Sequence, residues 1–158
     1  MTSMSYLLDK QKHAYMCYKA KKPRCKVYAV VECGVDKYAV LNMTRGEYKY
    51  ALAGGTIEDG ESVIDAIQRE VLEELHMECE YVGTIGHIVD TSKWTYKGKS
   101  FTVDDDMTIV VVKSIRVVDR ELYGIKGEFD TQDIVSYVTK ADMLANVAEF
   151  VKYGVKFE

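Results

Sequence analysis

From Cys25 onward the chain switches between strand-like and helix-like spacing of its apolar residues. Lys26 to Cys33 is rich in Val and Tyr, Gly34-Val35-Asp36-Lys37 reads as a hairpin turn, and Tyr38 to Met43 as the returning strand. Tyr48-Lys49-Tyr50-Ala51-Leu52 is a further short extended piece that runs into Gly54-Gly55. Glu61 to Leu75 carries the clearest helical period. Its Ile64, Ile67, Val71 and Leu75 recur at three- and four-residue spacing, which predicts one buried stripe. Tyr81 to Val89 and Met107 to Val118 are β-branched runs suited to a central sheet. Between them, Asp90 to Asp106 reads as a long loop or a hairpin extension holding Trp94, Tyr96 and three successive aspartates. Asp133 to Val138 predicts another strand. A last helix follows, with Thr139 as cap, Asp142 three residues on, Leu144, Val147, Ala148 and Val151 as its stripe, and Gly154 as its stop.

Residues 1–24 are polar and rich in Tyr and Lys, and read as an N-terminal extension, either a short helix or an added edge segment. The Lys21-Lys22-Pro23-Arg24 cluster at its end is expected to be a solvated flank. Residues 25–158 are then expected to form one domain of the α+β class, a mixed β-sheet with helices on both faces. The length of 158 residues suits one such core, and a single proline leaves no linker to divide it.

Composition narrows the function classes. Twenty-one basic against twenty-five acidic side chains give a formal charge of −4, a balance with no sign of a broad basic face to hold a nucleic acid backbone. Small anionic substrates are compatible with that balance only where a local cation or metal offsets the repulsion. The strongest apolar run, Ile109-Val110-Val111-Val112, is too short to cross a bilayer, so no membrane partner is expected. The start of the chain shows no basic leader, and Cys17, Cys25, Cys33 and Cys79 form no Cys-x-x-Cys pair. Free thiols in a reducing cytoplasm are the expectation.

The candidate chemistry lies on the long helix. Glu70, Glu73 and Glu74 stand at i, i+3 and i+4, and so share one face beside the apolar stripe. Like charges at these spacings repel, and the helix C-terminus disfavours anions. Hard divalent ions on that face would relieve both faults, and Mg²⁺ takes oxygen ligands while leaving positions for substrate phosphates. An ordinary solvated acidic face is the plain alternative.

The preceding segment separates the two. Gly55, five residues, Glu61, seven residues, then Arg69-Glu70-Val71-Leu72-Glu73-Glu74-Leu75-His76-Met77 resembles the signature of the Nudix (MutT-like) hydrolases, Gly-x5-Glu-x7-Arg-Glu-U-x-Glu-Glu-x-Gly-U with U aliphatic. Six of its seven fixed positions match. Two positions depart from the pattern. His76 replaces the glycine that ends the helix in a left-handed conformation, which implies strain or an extra helical turn there. Ala53 stands where many members have proline, a change that leaves the site chemistry untouched.

The resemblance implies a Nudix-type α/β/α sandwich. It also implies a hydrolase that cleaves the diphosphate bond of a nucleoside diphosphate linked to another moiety, such as an NTP, an ADP-sugar or a dinucleotide. Mg²⁺ or Mn²⁺ would be the cofactor, held by Glu70, Glu73 and Glu74 with a backbone carbonyl of Gly54 or Gly55. Glu61 and Gly55 would support the loop. Arg69 would brace it and face the substrate, a surface ion pair being the alternative for Glu61 and Arg69. Glu70 is the first candidate for general base; Glu128, in the loop Gly127-Glu128-Phe129-Asp130, is the second, with Asp130 as its rival. Trp94 and Tyr96 would either stack on a base or cover part of the core. Asp104, Asp105 and Asp106 would assist the metals or form a turn between strands. Many members are dimers, so a homodimer is an expectation drawn from the family.

Other classes fit less well. A Walker-type phosphate loop is absent from the sequence. An isoprenoid diphosphate isomerase on the same scaffold would need a catalytic cysteine, and neither Cys33 nor Cys79 has the context. A catalytically inactive nucleotide-binding or regulatory module would be expected to have lost metal-face carboxylates, and this chain keeps all three.

Overall fold

The computed structural model describes residues 3–118 and 134–158. The candidate bases Glu128 and Asp130 lie outside the described residues. In chain order the elements are helix α1 (Ser3–Ala20), strands β1 (Arg24–Glu32), β2 (Tyr38–Asn42), β3 (Tyr50–Ala51) and β4 (Ala53–Thr56), and helix α2 (Val63–Leu75). Strands β5 (Met77–Tyr96), β6 (Lys99–Val117) and β7 (Val135–Val138) follow, then helices α3 (Lys140–Asn146) and α4 (Ala148–Val151). The extension is thus a helix of 18 residues and not an edge strand.

Seven strands form one mixed sheet in the order β3-β2-β1-β6-β5, with β4 added to β1 and β7 to β2. The β1–β6 pair is parallel and the others antiparallel. Alternation along β1 decides the layering, because successive side chains of a strand face opposite ways. Val27, Ala29 and Val31 pack beneath α2 with Ala66, Ile67, Val71 and Leu75. Tyr28 and Val30 face the other side, with Ile109, Met143, Val147 and Phe150. A helix layer on each face of a mixed sheet is the predicted architecture.

Three local readings need correction. The stripe of α2 runs through Ala66, which packs with Val27, Ala29 and Ala53, and Ile64 is 42% exposed in the first turn, after the Ser62 cap. The last helix is broken: Thr139 accepts from the Asp142 amide as predicted, but Val147 is extended and separates α3 from α4. Its buried side chains are accordingly Met143, Val147 and Phe150, while Val151 is exposed.

The third concerns the three aspartates within Asp90 to Asp106, a segment that takes the hairpin form, one of its two expected readings. This segment continues β5 and β6 as a paired hairpin through Trp94 opposite Phe101, closed by Lys97 and Gly98 with positive φ. The tip extends beyond the layers that cover the sheet and is covered by α1. Ala14 and Cys17 bury against Phe101 and Val103, with Tyr15, Tyr18, Trp94 and Tyr96 packed around them. The three aspartates therefore lie on β6 and form no turn. Asp105 is buried and bound by Arg24 through two contacts, Nε at 2.8 Å and Nη2 at 3.1 Å. Arg24 is itself 6% exposed, so the basic cluster is no uniform solvated flank. No described helix is long and apolar enough to cross a membrane.

Candidate active site

Strand β4 and helix α2 position the site. The register Tyr28 opposite Gly54 and Val27 opposite Gly55 fixes the two glycines on the sheet beside β1. The chain then loops through Glu58 and Glu61 to the cap, where Ser62 accepts from the Asp65 amide at 3.0 Å. From there the buried stripe of α2 packs on the sheet, and its carboxylates reach back to the glycines.

Two of those carboxylates meet the glycines individually. Glu74 accepts from the Gly54 amide at 2.7 Å. A Cβ at Gly55 would fall 2.7 Å from Glu70 Oε1, so only glycine leaves room for that carboxylate. Glu73 is the outer member, its side chain 45% exposed.

Arg69 braces the loop against the helix. Its Nε and Nη2 donate to the two oxygens of Glu61 at 2.8 and 3.0 Å, and Nη2 also donates to the Thr56 carbonyl at 3.1 Å. Nη1 donates to Glu70 at 2.9 Å. Glu61 in turn accepts from the Glu58 amide, and Arg69 holds its carboxyl below the usual carboxylate range. The guanidinium is thus committed to protein partners on three sides.

Electrostatically the carboxylates outnumber the cations, which among the described residues are Arg69, on Glu70, and Lys10, which bears on Glu70 and Glu74. Burial pushes the Glu74 carboxyl up to about 8, with the Gly54 amide opposing and Glu70 and Glu73 adding to the rise. Burial also raises Glu70, against the pull of Arg69. Among the described residues no three acidic, His or Cys side chains converge as a ready ligand set. Arg69 draws Glu70 toward Glu61, and Gly54 holds Glu74. The donors nevertheless suit a divalent cation: they are hard oxygens, glycine-cradled, and penalised by their own charge.

The helix ends where the signature places its glycine. His76 takes φ 55° and ψ 43°, its amide donates to the Leu72 carbonyl, and no extra turn forms. The imidazole is 7% exposed, while the His76 carbonyl accepts from Val118 to start the β5–β6 ladder. Of the two consequences expected of this departure, a left-handed non-glycine residue is the one observed.

Trp94 and Tyr96 are not gathered with the glutamates. Trp94 donates to Ser92 Oγ and has the Arg24 guanidinium 4.6 Å above its ring; Tyr96 packs on Tyr15 with centroids 5.1 Å apart. Both occupy the core-covering alternative. Asp106 is paired with His87, and Asp104 is exposed. The sequence reading passed over Lys26, Tyr28 and Glu149, although a lysine two positions before a tyrosine in an otherwise apolar strand was the available signal. The Tyr28 ring touches Gly54, since a Cβ there would lie 2.6 Å from Tyr28 Cδ1.

A family model described as the NUDIX domain matches residues 26–150. Among solved structures, a NUDIX hydrolase from Nitrosomonas europaea is similar over 79% of this chain and 78% of its own, at 24% identity and a TM-score of 0.54. The E. coli ORF135 protein is similar over 80% and 81%, at 16% identity and a TM-score of 0.54. No curated protein matches the chain.

Proposed function

The chain belongs to the Nudix family, hydrolases of phosphoric anhydrides that act on nucleoside diphosphate derivatives with divalent metal ions, and from that premise we propose that it is a Mg²⁺- or Mn²⁺-dependent pyrophosphohydrolase. Its substrate would be a nucleoside diphosphate linked to a further group: an NTP, an ADP-sugar or a dinucleotide. The observation that carries the reading is the seating of Glu70 against Gly55 and of Glu74 on the Gly54 amide, two half-buried carboxylates brought to the same pair of glycines.

Glu70, Glu73, Glu74 and a backbone carbonyl of Gly54 or Gly55 would hold the metal. When bound, the metal supplies charge stabilisation at the pyrophosphate oxygens and a more acidic water. Everything else falls to the chain. Glu61 and Arg69 fix the loop, so that the glycine backbone and the α2 carboxylates hold one spacing during turnover. Glu70 is the assigned general base, because burial has raised its affinity for a proton. Water adds in line at phosphorus, its proton passes to the base, and the bond from phosphorus to the bridging oxygen breaks, releasing two phosphate products. Trp94 is given no stacking role, since Arg24 covers one of its faces. The cytoplasm is the proposed compartment, with Cys17 and Cys79 buried as small hydrophobic thiols.

The test is phosphate released from the products of a nucleotide panel by added phosphatase or pyrophosphatase, after incubation with the purified chain and Mg²⁺ or Mn²⁺, beside a Glu74→Gln variant. Metal-dependent turnover that the variant lacks is expected. An absence of turnover on every diphosphate would favour a non-catalytic nucleotide-binding module.

A further inference from the structure

Lys26, Tyr28 and Glu149 form a second group of titratable side chains, on the face of the sheet opposite α2. Strand alternation places Lys26 and Tyr28 together on that face, and Glu149 of α4 approaches from the helix layer above it. Lys26 Nζ lies 5.2 Å from the centroid of the Tyr28 ring, a cation–π arrangement that orients the ammonium. Among the described residues that ammonium makes no ion pair within 4.0 Å. The nearby carboxylates do not supply one: Asp105 is bound on both oxygens by Arg24, and Glu149 is itself pushed by burial toward its neutral form. Burial likewise lowers the Lys26 ammonium to about 8.

The group is joined to the carboxylate site by contact. Lys26 pairs with Thr56 and Tyr28 with Gly54, on either side of Gly55. Tyr28 touches Gly54, whose amide binds Glu74. Lys10 of α1 bears electrostatically on Glu70, Glu74 and Lys26 alike. A substrate with two phosphates carries negative charge on both sides of the scissile bond, and Arg69 is already committed to Glu61 and Glu70.

We propose that Lys26 is a substrate-binding residue of this enzyme, its ammonium contacting an anionic phosphate oxygen of the nucleotide held beside Glu70 and Glu74; the assignment rests on the pyrophosphohydrolase reading. The physical case is differential. A partly buried ammonium without a carboxylate on it has already lost water in the free protein, and an incoming phosphate oxygen restores the missing partner. Glu149 and Asp105 attract the ammonium only from beyond ion-pair distance.

Binding of α,β-methylene-ADP, inorganic pyrophosphate and adenosine is measured by titration calorimetry in Ca²⁺ for the wild-type chain, Lys26→Met and Lys26→Arg, with melting temperatures recorded for each. Lys26→Met is expected to weaken the analogue and pyrophosphate about tenfold, leave any adenosine binding unchanged, and melt no lower than wild type. Lys26→Arg, which keeps the charge, is expected to retain most of the affinity. Analogue affinity of Lys26→Met within twofold of wild type overturns the proposal. Wild-type turnover of the nucleotide panel is assayed alongside. Turnover with no Lys26 effect removes Lys26 and leaves the hydrolase standing, whereas no turnover and no analogue binding removes both.

Discussion

The Glu74 carboxylate accepts a 2.7 Å hydrogen bond from the Gly54 amide, so the last turn of α2 is tied to the strand that precedes the signature loop. One amide does not offset the loss of water around that carboxylate, and its carboxyl stands at about 8 against an ordinary 4.5. A proton bound more tightly in the fold than in the unfolded chain stabilises fully below 4.5, and that stability is lost as pH rises through about 8.

Two outcomes are expected for Glu74→Gln. In EDTA, the wild-type melting temperature falls between pH 5 and pH 9 by an increment that the variant does not show. Metal-dependent hydrolysis by the variant falls on the order of 100-fold or more, because charge stabilisation of several kcal/mol is lost with the ligand and each 1.36 kcal/mol is about tenfold in rate. Thermal scans across pH and a phosphatase- or pyrophosphatase-coupled phosphate assay check both. A variant as active as wild type would remove Glu74 from the metal site.

Adjacent glycines should respond differently to the same methyl group. At Gly54 a Cβ would lie 2.1 Å from the Val27 carbonyl oxygen, and backbone in a central strand has nowhere to move. Gly54→Ala is expected to cost about 3 kcal/mol, or a melting temperature lower by about 6–12 °C. At Gly55 the Cβ would meet the carboxylate of Glu70 at 2.7 Å, and a side chain can turn away. Gly55→Ala should therefore melt within a few degrees of wild type while losing at least about tenfold in kcat. The order of damage, fold at one glycine and activity at the next, is the readout.

The signature was legible because its spacing is local: a cap, a helix period and a loop length place Glu61, Arg69 and the three glutamates without knowledge of the rest of the fold. Hairpin β1–β2 was legible for the same reason, with Asp36 and Gly34 both at positive φ in its turn. What the sequence obscured depends on distant partners. Arg24 stands in a run of basic residues and looks solvated, yet its counterion is 81 positions away on β6. Trp94 and Tyr96 looked as free to stack as to pack, because the helix that covers them lies at the other end of the sequence. In α2 the period alone could not choose between Ile64 and Ala66; packing on the sheet, against partners distant in sequence, buries Ala66.

The Arg24–Asp105 pair gives a prediction about the hairpin. Both side chains are under 10% exposed, and removing one partner strands a buried charge. Asp105→Ala is expected to cost about 3–5 kcal/mol, and Arg24→Met with Asp105→Leu to recover most of it. Asp104→Ala, at the exposed neighbour, should change little. Trp94 is the single tryptophan, so its emission reports the loss: it should shift to longer wavelength in Asp105→Ala, where the guanidinium stacked on it has lost its anchor. Equal melting of Asp104→Ala and Asp105→Ala would show that the pair does not hold the hairpin.

Acid should release a different tie. The Tyr153 hydroxyl donates to Asp90 Oδ2, joining the segment after α4 to β5, and this bond, with one from the Thr91 amide, holds the Asp90 carboxyl below its ordinary 3.8. A carboxyl depressed in the fold stabilises above that ordinary value, and the contribution disappears as pH falls through the lower folded value. Asp90 also pushes the Tyr153 hydroxyl up to about 12, so the donor keeps its proton through pH 10. Tyr153→Phe should therefore melt below wild type by a constant margin from pH 5 to pH 10, and the margin should close as the pH is lowered past 3.8. Melting curves of both proteins at matched ionic strength decide it: a gap that persists undiminished in acid would mean that the hydroxyl stabilises through packing and not through the carboxylate.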